Sequence, residues 1–171
     1  LPGSIRVRRA CEKPAGFHAR RSARYRRYWY LLQPTRHADP LRGRFCWQVG
    51  APLDVAAMQR ALAPLVGRHD FAAFCHSGET DEATRTLHHA RVRPRGGYLV
   101  VDLQADAFVQ RMMRLLVSNL VLVGSGARPT DWLDELLRSR DRHLAGQGAP
   151  PQGLILMRIG YPPNDSLPRR E

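Results

Sequence analysis

A period-two pattern of polar and apolar positions marks the stretch "YRRYWYLL", which begins at Tyr25. Alternation of this kind predicts a β-strand whose successive side chains point to opposite faces of a sheet. One face then carries Tyr28, Tyr30 and Leu32, and the other carries Arg27, Trp29 and Leu31. Farther on, "RTLHHARVRPRGGYLVVDL" has the form of a hairpin that turns at Gly96–Gly97. Its second arm, "YLVVDL", is the continuous apolar run typical of a central strand.

Three stretches have the apolar spacing of helices. They are "PLDVAAMQRALAPLVG" with an N-cap at Asp54, "DAFVQRMMRLLVSNLVLVG" ending at Gly124, and "RPTDWLDELLRSRDR" with a cap at Thr130. Between the first two, "HDFAAF" is predicted as a turn at His69–Asp70 that leads to two core anchors, Phe71 and Phe74. "APPQGLILMRIGY" predicts a last strand. The order predicts an α+β fold, with helices packed on a mostly antiparallel sheet.

Composition adds a strong positive charge to this globular pattern. The chain has 171 residues, enough for one domain, and 27 basic residues face 15 acidic ones for a formal net charge of +12. Lys13 is its one lysine, so the remaining basic residues are arginine. A GC-rich genome explains the choice of arginine over lysine, but it does not explain the excess over acids. The excess predicts an anionic partner, most simply nucleic acid.

Several function classes are disfavoured. Cys11, Cys46 and Cys75 lie far apart, and no Cys/His cluster has zinc-ligand spacing, so we expect no metal and free thiols in a reducing cytoplasm. No apolar run is long enough to cross a bilayer, and no signal peptide is visible.

Arg114 interrupts the apolar run "MMRLLV" within the second predicted helix. Burial of an unpaired guanidinium costs on the order of several kcal/mol. The Arg114 side chain must therefore either reach water or pair with an anionic group. One interpretation is that Arg114 extends along a polar stripe to water. The other is that it meets a carboxylate or phosphate in a cleft. The residues alone leave both open.

Tyr28 follows a cluster of arginines, Arg24, Arg26 and Arg27. A strand tyrosine is ordinarily half-buried core. Next to arginines, however, an aromatic ring is also suited to stacking on an unpaired base while the guanidinium groups hold phosphates. The pattern therefore leaves a core role and an RNA-contact role for Tyr28.

In order along the chain, these segments resemble the TruA family of tRNA pseudouridine synthases. The matching segments include "FHARRSARYRRYWY", "LVGRHDFAAF", "GGYLVVDLQADAFVQRMMRLLVSNLVLVGSG" and "APPQGLILMRIGY". The resemblance covers about residues 17 to 161. It implies an α+β catalytic domain with no metal or cofactor. It also implies isomerisation of uridine in the tRNA anticodon stem-loop, in which the N-glycosidic bond breaks and the uracil rejoins through carbon.

The resemblance also assigns roles to individual residues. Tyr28 matches the tyrosine that packs against the target base, and Arg114 matches the arginine that pairs with the catalytic aspartate. The substrate-binding set is expected to be Tyr28, His18, Arg20, Arg24, Arg26 and Arg27. An aspartate that attacks the nucleoside must be ionised, and a nearby guanidinium favours that form.

One departure from the family is large. The family's nucleophilic aspartate lies in a segment like Gly-Arg-Thr-Asp-x-Gly-Val-His-Ala before "FHAR", and these 171 residues contain no such segment. "GETDEA" contains Asp81 but stands at the wrong place in the order, so Asp81 is not assigned as the nucleophile. We therefore expect the nucleophilic aspartate to be absent from this chain and the chain to be inactive alone.

The resulting expectation has three parts along the chain. Residues 1–16 are a lead-in strand, residues 17–161 are the C-terminal portion of a TruA-like catalytic domain, and residues 162–171 are a basic tail. The partner is tRNA, with a homodimer or a missing N-terminal half as a further association. The alternative functions are a non-catalytic RNA-binding remnant and one half of a split enzyme.

Overall fold

A computed structural model describes residues 1–35, 40–41, 43–76 and 83–162 of the chain. These ranges contain both strands and α-helices in runs that do not alternate regularly, which confirms the predicted α+β class. They are β1 (Tyr25–Pro34), β2 (Trp47–Val49), α1 (Val55–Leu62), β3 (Gly67–Asp70), β4 (Thr84–Arg95), β5 (Tyr98–Ala105), α2 (Met112–Gly124), α3 (Trp132–Ser139) and β6 (Leu154–Gly160).

The strands form one sheet in the order β2–β1–β5–β4–β3, and β6 also pairs with β1. β1 pairs in parallel with β2 and antiparallel with β5 and β6, and the pairs β3–β4 and β4–β5 are also antiparallel. The predicted mostly antiparallel sheet is therefore confirmed. β5 is the central strand of this order, and β1 is paired on both edges, with β5 on one and β2 and β6 on the other.

Among the three α-helices of the described residues, α1 has a side-chain N-cap. The Asp54 side chain accepts a hydrogen bond from the Ala57 backbone N–H at 3.0 Å, as the predicted N-cap of α1 should. α2 ends at Gly124, as predicted. α3 begins one residue later than predicted, because Asp131 rather than Thr130 holds the N-cap position, and it makes no side-chain cap bond there.

α2 begins six residues after its predicted start at Asp106. The Asp106 carboxylate accepts hydrogen bonds from the backbone N–H groups of Thr86 (3.0 Å) and Ala107 (2.6 Å). These bonds tie the chain to the start of β4. An Asp side chain that binds backbone in this way competes with helix formation, so residues 106–111 form a loop.

Some predicted segments differ from the structure or lie outside it. Residues 1–24 contain neither helix nor strand, although residues 1–16 were expected to form a lead-in strand. Backbone hydrogen bonds in this region close local turns, such as those from the Ile5 N–H to Pro2 and from the Phe17 N–H to Pro14. His69–Asp70 ends strand β3 instead of forming a turn. Of the predicted tail only Pro162 lies within the described residues, and Asp81 lies outside them.

The hydrophobic core lies between the helices and one face of the sheet. Tyr30 and Leu32 of β1 are fully buried there. The predicted anchors Phe71 and Phe74 are also fully buried. This arrangement confirms the predicted division of β1 into two faces, and the structure shows that the face with Tyr28 turns toward the core.

The opposite face of the sheet carries an ion-pair cluster centred on Asp102, whose side chain is 1% exposed. Arg27 donates to both of its carboxylate oxygens, from Nε at 2.7 Å and from a terminal nitrogen at 2.6 Å. Arg93 and His89 lie 3.8 Å and 4.0 Å from the same carboxylate. The Arg93 guanidinium also lies over the Trp29 ring at 5.2 Å. Asp102 thus neutralises part of a basic surface.

Two opposing effects set the pKa of Asp102. Burial raises the pKa of the Asp102 carboxyl, but the hydrogen bonds and positive charge of Arg27, with a contribution from His89, outweigh burial and hold the pKa below its usual value. The hydrogen bond to Asp102 also raises the pKa of the Arg27 guanidinium. Stability from Asp102 is therefore present above about pH 4 and is lost as the pH falls below that value, because the unfolded state takes up the proton first.

Replacing Asp102 by alanine tests this cluster. The change leaves Arg27 without its counter-ion, so we expect the free energy of unfolding to fall by about 2 to 3 kcal/mol, less than for a fully buried pair because Arg27 is half-exposed. Asp134→Ala is the matched control. It breaks the exposed helical pair with Arg138 and should cost less than about 1 kcal/mol. Urea unfolding at pH 7 measures both, and equal losses would contradict the assignment.

A candidate active-site cleft

Tyr28 lies on the helix-facing side of β1, at the boundary between two cavities. Its ring meets the edge of the Phe108 ring at a centroid distance of 5.0 Å and an angle of 83°. Phe108 belongs to the loop before α2. Both aromatic side chains line both cavities, and together they form the wall between them.

The first cavity, called here the Arg114 cavity, has a volume of about 320 Å³. Leu154 at the start of β6 lines it together with Tyr28, Phe108 and residues 109–114. Its walls are largely apolar, and Arg111 and Arg114 are the charged residues among them. A small apolar cavity with a few polar groups is typical of a ligand site.

Arg114 is held in place by the segment before β6. Its Nε donates to the Ala149 carbonyl, and the Ala149 backbone N–H donates back to the Arg114 carbonyl at 2.9 Å. In the described part of the chain, no carboxylate lies within 4 Å of Arg114. The structure therefore places the Arg114 guanidinium in the cavity wall and against a backbone carbonyl, and its pairing with an anion stays a prediction.

Tyr30 also holds the segment before β6 in place. Its hydroxyl donates to the Pro150 carbonyl at 2.6 Å, and the ring leaves no room beside Gly153, where an added Cβ would lie 2.7 Å from it. Burial raises the pKa of Tyr30 above its usual range, against an opposing effect of the Arg114 charge. The "APPQG" stretch thus needs its glycine because the backbone approaches Tyr30 closely.

Arg111, at the N-cap of α2, has a left-handed backbone conformation with φ of 65°. This conformation costs a non-glycine residue about 1 to 2 kcal/mol. It lets the chain turn from the Phe108 loop into the helix in one step. Backbone strain of this kind is concentrated at functional sites, and here it lies in the wall of the Arg114 cavity.

The second cavity, called here the Arg85 cavity, has a volume of about 480 Å³ and lies on the other side of Tyr28. Its lining includes Arg20, Arg26, Arg85, Tyr28, Phe108 and Tyr161. Three arginines and no acidic residue line it, so its electrostatic potential favours anions.

The remaining residues of the predicted substrate-binding set are dispersed. Arg20 lines the Arg85 cavity. The His18 Nδ1 accepts hydrogen bonds from the backbone N–H groups of Arg20 (3.2 Å) and Arg21 (3.3 Å), so this ring nitrogen stabilises a turn. Arg24 is exposed and lines neither cavity.

Arg26 and Arg27 lie on different sides of the sheet. The Arg26 guanidinium donates to the carbonyls of Ala23, Asp106 and Arg20, so it supports the backbone around the Arg85 cavity. Arg27 is paired with Asp102 on the opposite face and lines neither cavity. The structure therefore brings Tyr28, Arg20, Arg26 and Arg114 to the cleft and does not bring Arg27 there.

Sequence reasoning missed Phe108, Leu154 and Arg85. A phenylalanine in "DAFV" and a leucine after "PPQG" look like ordinary core positions. Arg85 follows a loop and has no local signal. Their common feature is that each lines a cavity with Tyr28 although it lies in a distant part of the chain.

No group of three or more His, Cys, Asp or Glu side chains among the described residues is arranged to hold a metal ion. No helix in the described part is long and apolar enough to cross a membrane.

Comparison with known proteins identifies the family of this chain. A family model described as tRNA pseudouridine synthase matches residues 61–162, which is more than half of the chain. The chain belongs to this family. The matched range includes Arg114, Phe108 and Leu154, but Tyr28 precedes it.

Individual relatives extend the similarity to almost the whole chain. Proteins named tRNA pseudouridine synthase A are 39% identical in Pseudoalteromonas atlantica over 170 residues and 43% identical in Bordetella petrii over 171 residues. The aligned regions cover 99% and 98% of this chain but only 65% and 63% of the relatives. The chain thus spans a little under two thirds of the length of these proteins.

The buried tyrosine gives a pH-dependent prediction. Tyr30→Phe removes the hydrogen bond to Pro150, so we expect the variant to be less stable by about 1 kcal/mol at pH 8. Above about pH 10 the unfolded wild-type tyrosine ionises whereas the folded one does not, so the wild type loses about 1.4 kcal/mol per pH unit. The difference should therefore vanish near about pH 11. Urea unfolding from pH 8 to 11 measures it, and a constant difference would contradict the raised pKa.

Proposed function

We propose that this chain forms the tyrosine–arginine side of the uridine site of a tRNA pseudouridine synthase that acts on the anticodon stem-loop in the cytoplasm. The observation that carries the proposal is that Tyr28 and Arg114 line one cavity of about 320 Å³. That volume is at the small end of ligand pockets, about 300 to 1,000 Å³, and suits a single flipped base. Family membership supports the reaction class.

In this proposal Tyr28 and Leu154 provide the surfaces that receive the uracil. A base must leave its stack before an enzyme can act on it, and apolar and aromatic side chains then replace part of the lost stacking. Phe108 packs edge-on against Tyr28 and limits the movement of its ring. The Tyr28 ring is therefore already positioned to stack on the uracil before the base binds.

Arg114 has an electrostatic role. Its Nε is bonded to the Ala149 carbonyl, which fixes the plane of the guanidinium and leaves the two terminal nitrogens for a carboxylate. A carboxylate at that position stays ionised because the adjacent positive charge lowers its pKa. An ionised carboxylate is the nucleophile that attack on the nucleoside requires.

The carboxylate itself has to come from residues other than those described around the cleft. We propose that a segment like the part of the relatives outside the aligned regions supplies it. The 171 residues alone should therefore bind RNA and leave its uridines unchanged.

Binding and turnover can be measured separately. We expect the chain to bind a tRNA anticodon stem-loop with an affinity that falls steeply with salt, because phosphate contacts release counter-ions. Tyr28→Ala should weaken binding by about 5- to 150-fold, since one base stack is worth about 1 to 3 kcal/mol. Tyr98→Ala, an aromatic change at the β4–β5 hairpin far from the cleft, is the control and should have little effect. Fluorescence anisotropy at several salt concentrations measures all three proteins.

Each alternative gives a different result. Pseudouridine formed by the chain alone would contradict the need for another carboxylate. Binding that Tyr28→Ala leaves unchanged would favour a non-catalytic RNA-binding surface elsewhere on the chain. Absence of binding at low salt would contradict both.

A further inference from the structure

We propose that the Arg85 cavity is a phosphate subsite, in which Arg85 holds the RNA phosphodiester next to the base bound at Tyr28. The inference rests on the proposed function, because it takes the ligand at Tyr28 to be RNA. It assigns a binding role to a residue and a cavity on the far side of Tyr28 from Arg114.

Arg85 has hydrogen-bonding capacity that the described residues do not use. One terminal nitrogen donates to the Thr84 carbonyl at 2.7 Å. The Nε is buried and has no acceptor in the described part of the chain. A buried N–H without an acceptor destabilises the fold, so an acceptor supplied by a ligand is favoured at this position. Nε and the second terminal nitrogen form the edge of the guanidinium that binds phosphate bidentately.

The surroundings of Arg85 favour an anion over any other ligand. Arg20 and Arg26 line the same cavity, and no acidic side chain does. Arg26 is already bonded to three backbone carbonyls, so it adds positive charge but little donor capacity. Arg20 and Arg85 are then the groups that can bind the phosphate oxygens directly.

The position of Arg85 is set by rigid parts of the fold. It lies in β4, opposite His69 of β3, and the next residue is tied to the loop before α2 through the bond from the Thr86 N–H to Asp106. That loop carries Phe108, which contacts Tyr28. Arg85 and Tyr28 therefore have fixed relative positions. A site for a base and for the phosphate of the same nucleotide requires this, because the two groups are covalently linked.

The shared chemistry of the ligand is a phosphate group, which either RNA or inorganic phosphate can supply. A nucleotide places its base and its phosphate a fixed covalent distance apart, so RNA can occupy both cavities at once. Inorganic phosphate occupies only one. Coupling between the two cavities therefore distinguishes these sources.

The test uses anticodon stem-loop RNAs in which one phosphate is replaced by a neutral methylphosphonate. We expect Arg85→Ala to weaken binding of unmodified RNA about tenfold or more and to lower the salt slope by about one. A methylphosphonate beside the target uridine should weaken wild-type binding similarly but weaken Arg85→Ala little further. A methylphosphonate elsewhere should weaken both proteins equally.

Two variants serve as controls. Arg91→Ala removes the same charge from the same strand, but Arg91 pairs in register with Asp102 and is exposed. It should show no coupling to the modified phosphate. Arg85→Lys keeps the charge and loses the bidentate geometry, so partial recovery of affinity is expected. The thermal midpoint of Arg85→Ala shows whether this variant is folded. If it is unfolded, Arg85→Lys is compared with the wild type in its place.

The outcomes separate this inference from the function on which it rests. No binding of any RNA overturns the proposed function. Binding that is sensitive to Tyr28→Ala, with additive effects of Arg85→Ala and the neighbouring methylphosphonate, overturns the phosphate subsite alone. Inorganic phosphate that competes with RNA equally in the wild type and in Arg85→Ala overturns it as well. The phosphate subsite is supported if the effects of Arg85→Ala and of the methylphosphonate on binding are non-additive only for the phosphate beside the target uridine.

Discussion

The reciprocal bonding between Arg114 and Ala149 is the constraint on which the cleft depends. A half-buried guanidinium inside an apolar helix needs an acceptor, and the Ala149 carbonyl provides it while the Ala149 N–H returns a bond to the helix backbone. The next carbonyl, of Pro150, accepts from Tyr30. Proline has no N–H of its own, so the segment adds no unmet donor there. These hydrogen bonds connect helix α2, strand β1 and the segment before β6 around the Arg114 guanidinium.

Strand alternation separates two kinds of arginine chemistry that are adjacent in sequence. Arg27 and Tyr28 are neighbours, yet one is paired with Asp102 on one face of the sheet and the other borders the cleft on the opposite face. The Arg26 guanidinium is hydrogen-bonded to backbone carbonyls. The basic run is therefore not one continuous binding surface. Its positive charge is partly neutralised, partly structural, and directed to the cleft only at selected positions.

Most of the fold followed from sequence because its signals are local. The Asp54 cap, the glycine at the end of α2 and the Gly96–Gly97 turn, where both residues have positive φ, each act within a few residues of themselves. The start of α2 was wrong because the competing partner of Asp106 is a backbone N–H twenty residues earlier.

The candidate site was predicted in part, for a related reason. Tyr28 and Arg114 were identified by resemblance to a family, and physical reasoning had left each with two interpretations. Phe108, Leu154 and Arg85 carry no signal that distinguishes them from core or loop residues. Their relevance comes from distance to Tyr28, which depends on the pairing of β1 with β5 and β6 and of β4 with β5.

The two cavities pose one electrostatic problem when considered together. The proposed reaction brings a carboxylate to Arg114 and a phosphodiester to the other side of Tyr28, and two nearby anions raise each other's proton affinity. A phosphate without its own cation would therefore raise the pKa of the carboxylate and weaken it as a nucleophile. With Arg85 and Arg20 beside the phosphate, each anion has a guanidinium of its own. In this proposal the positive charge of the cleft has two roles, to keep the carboxylate ionised and to attract RNA.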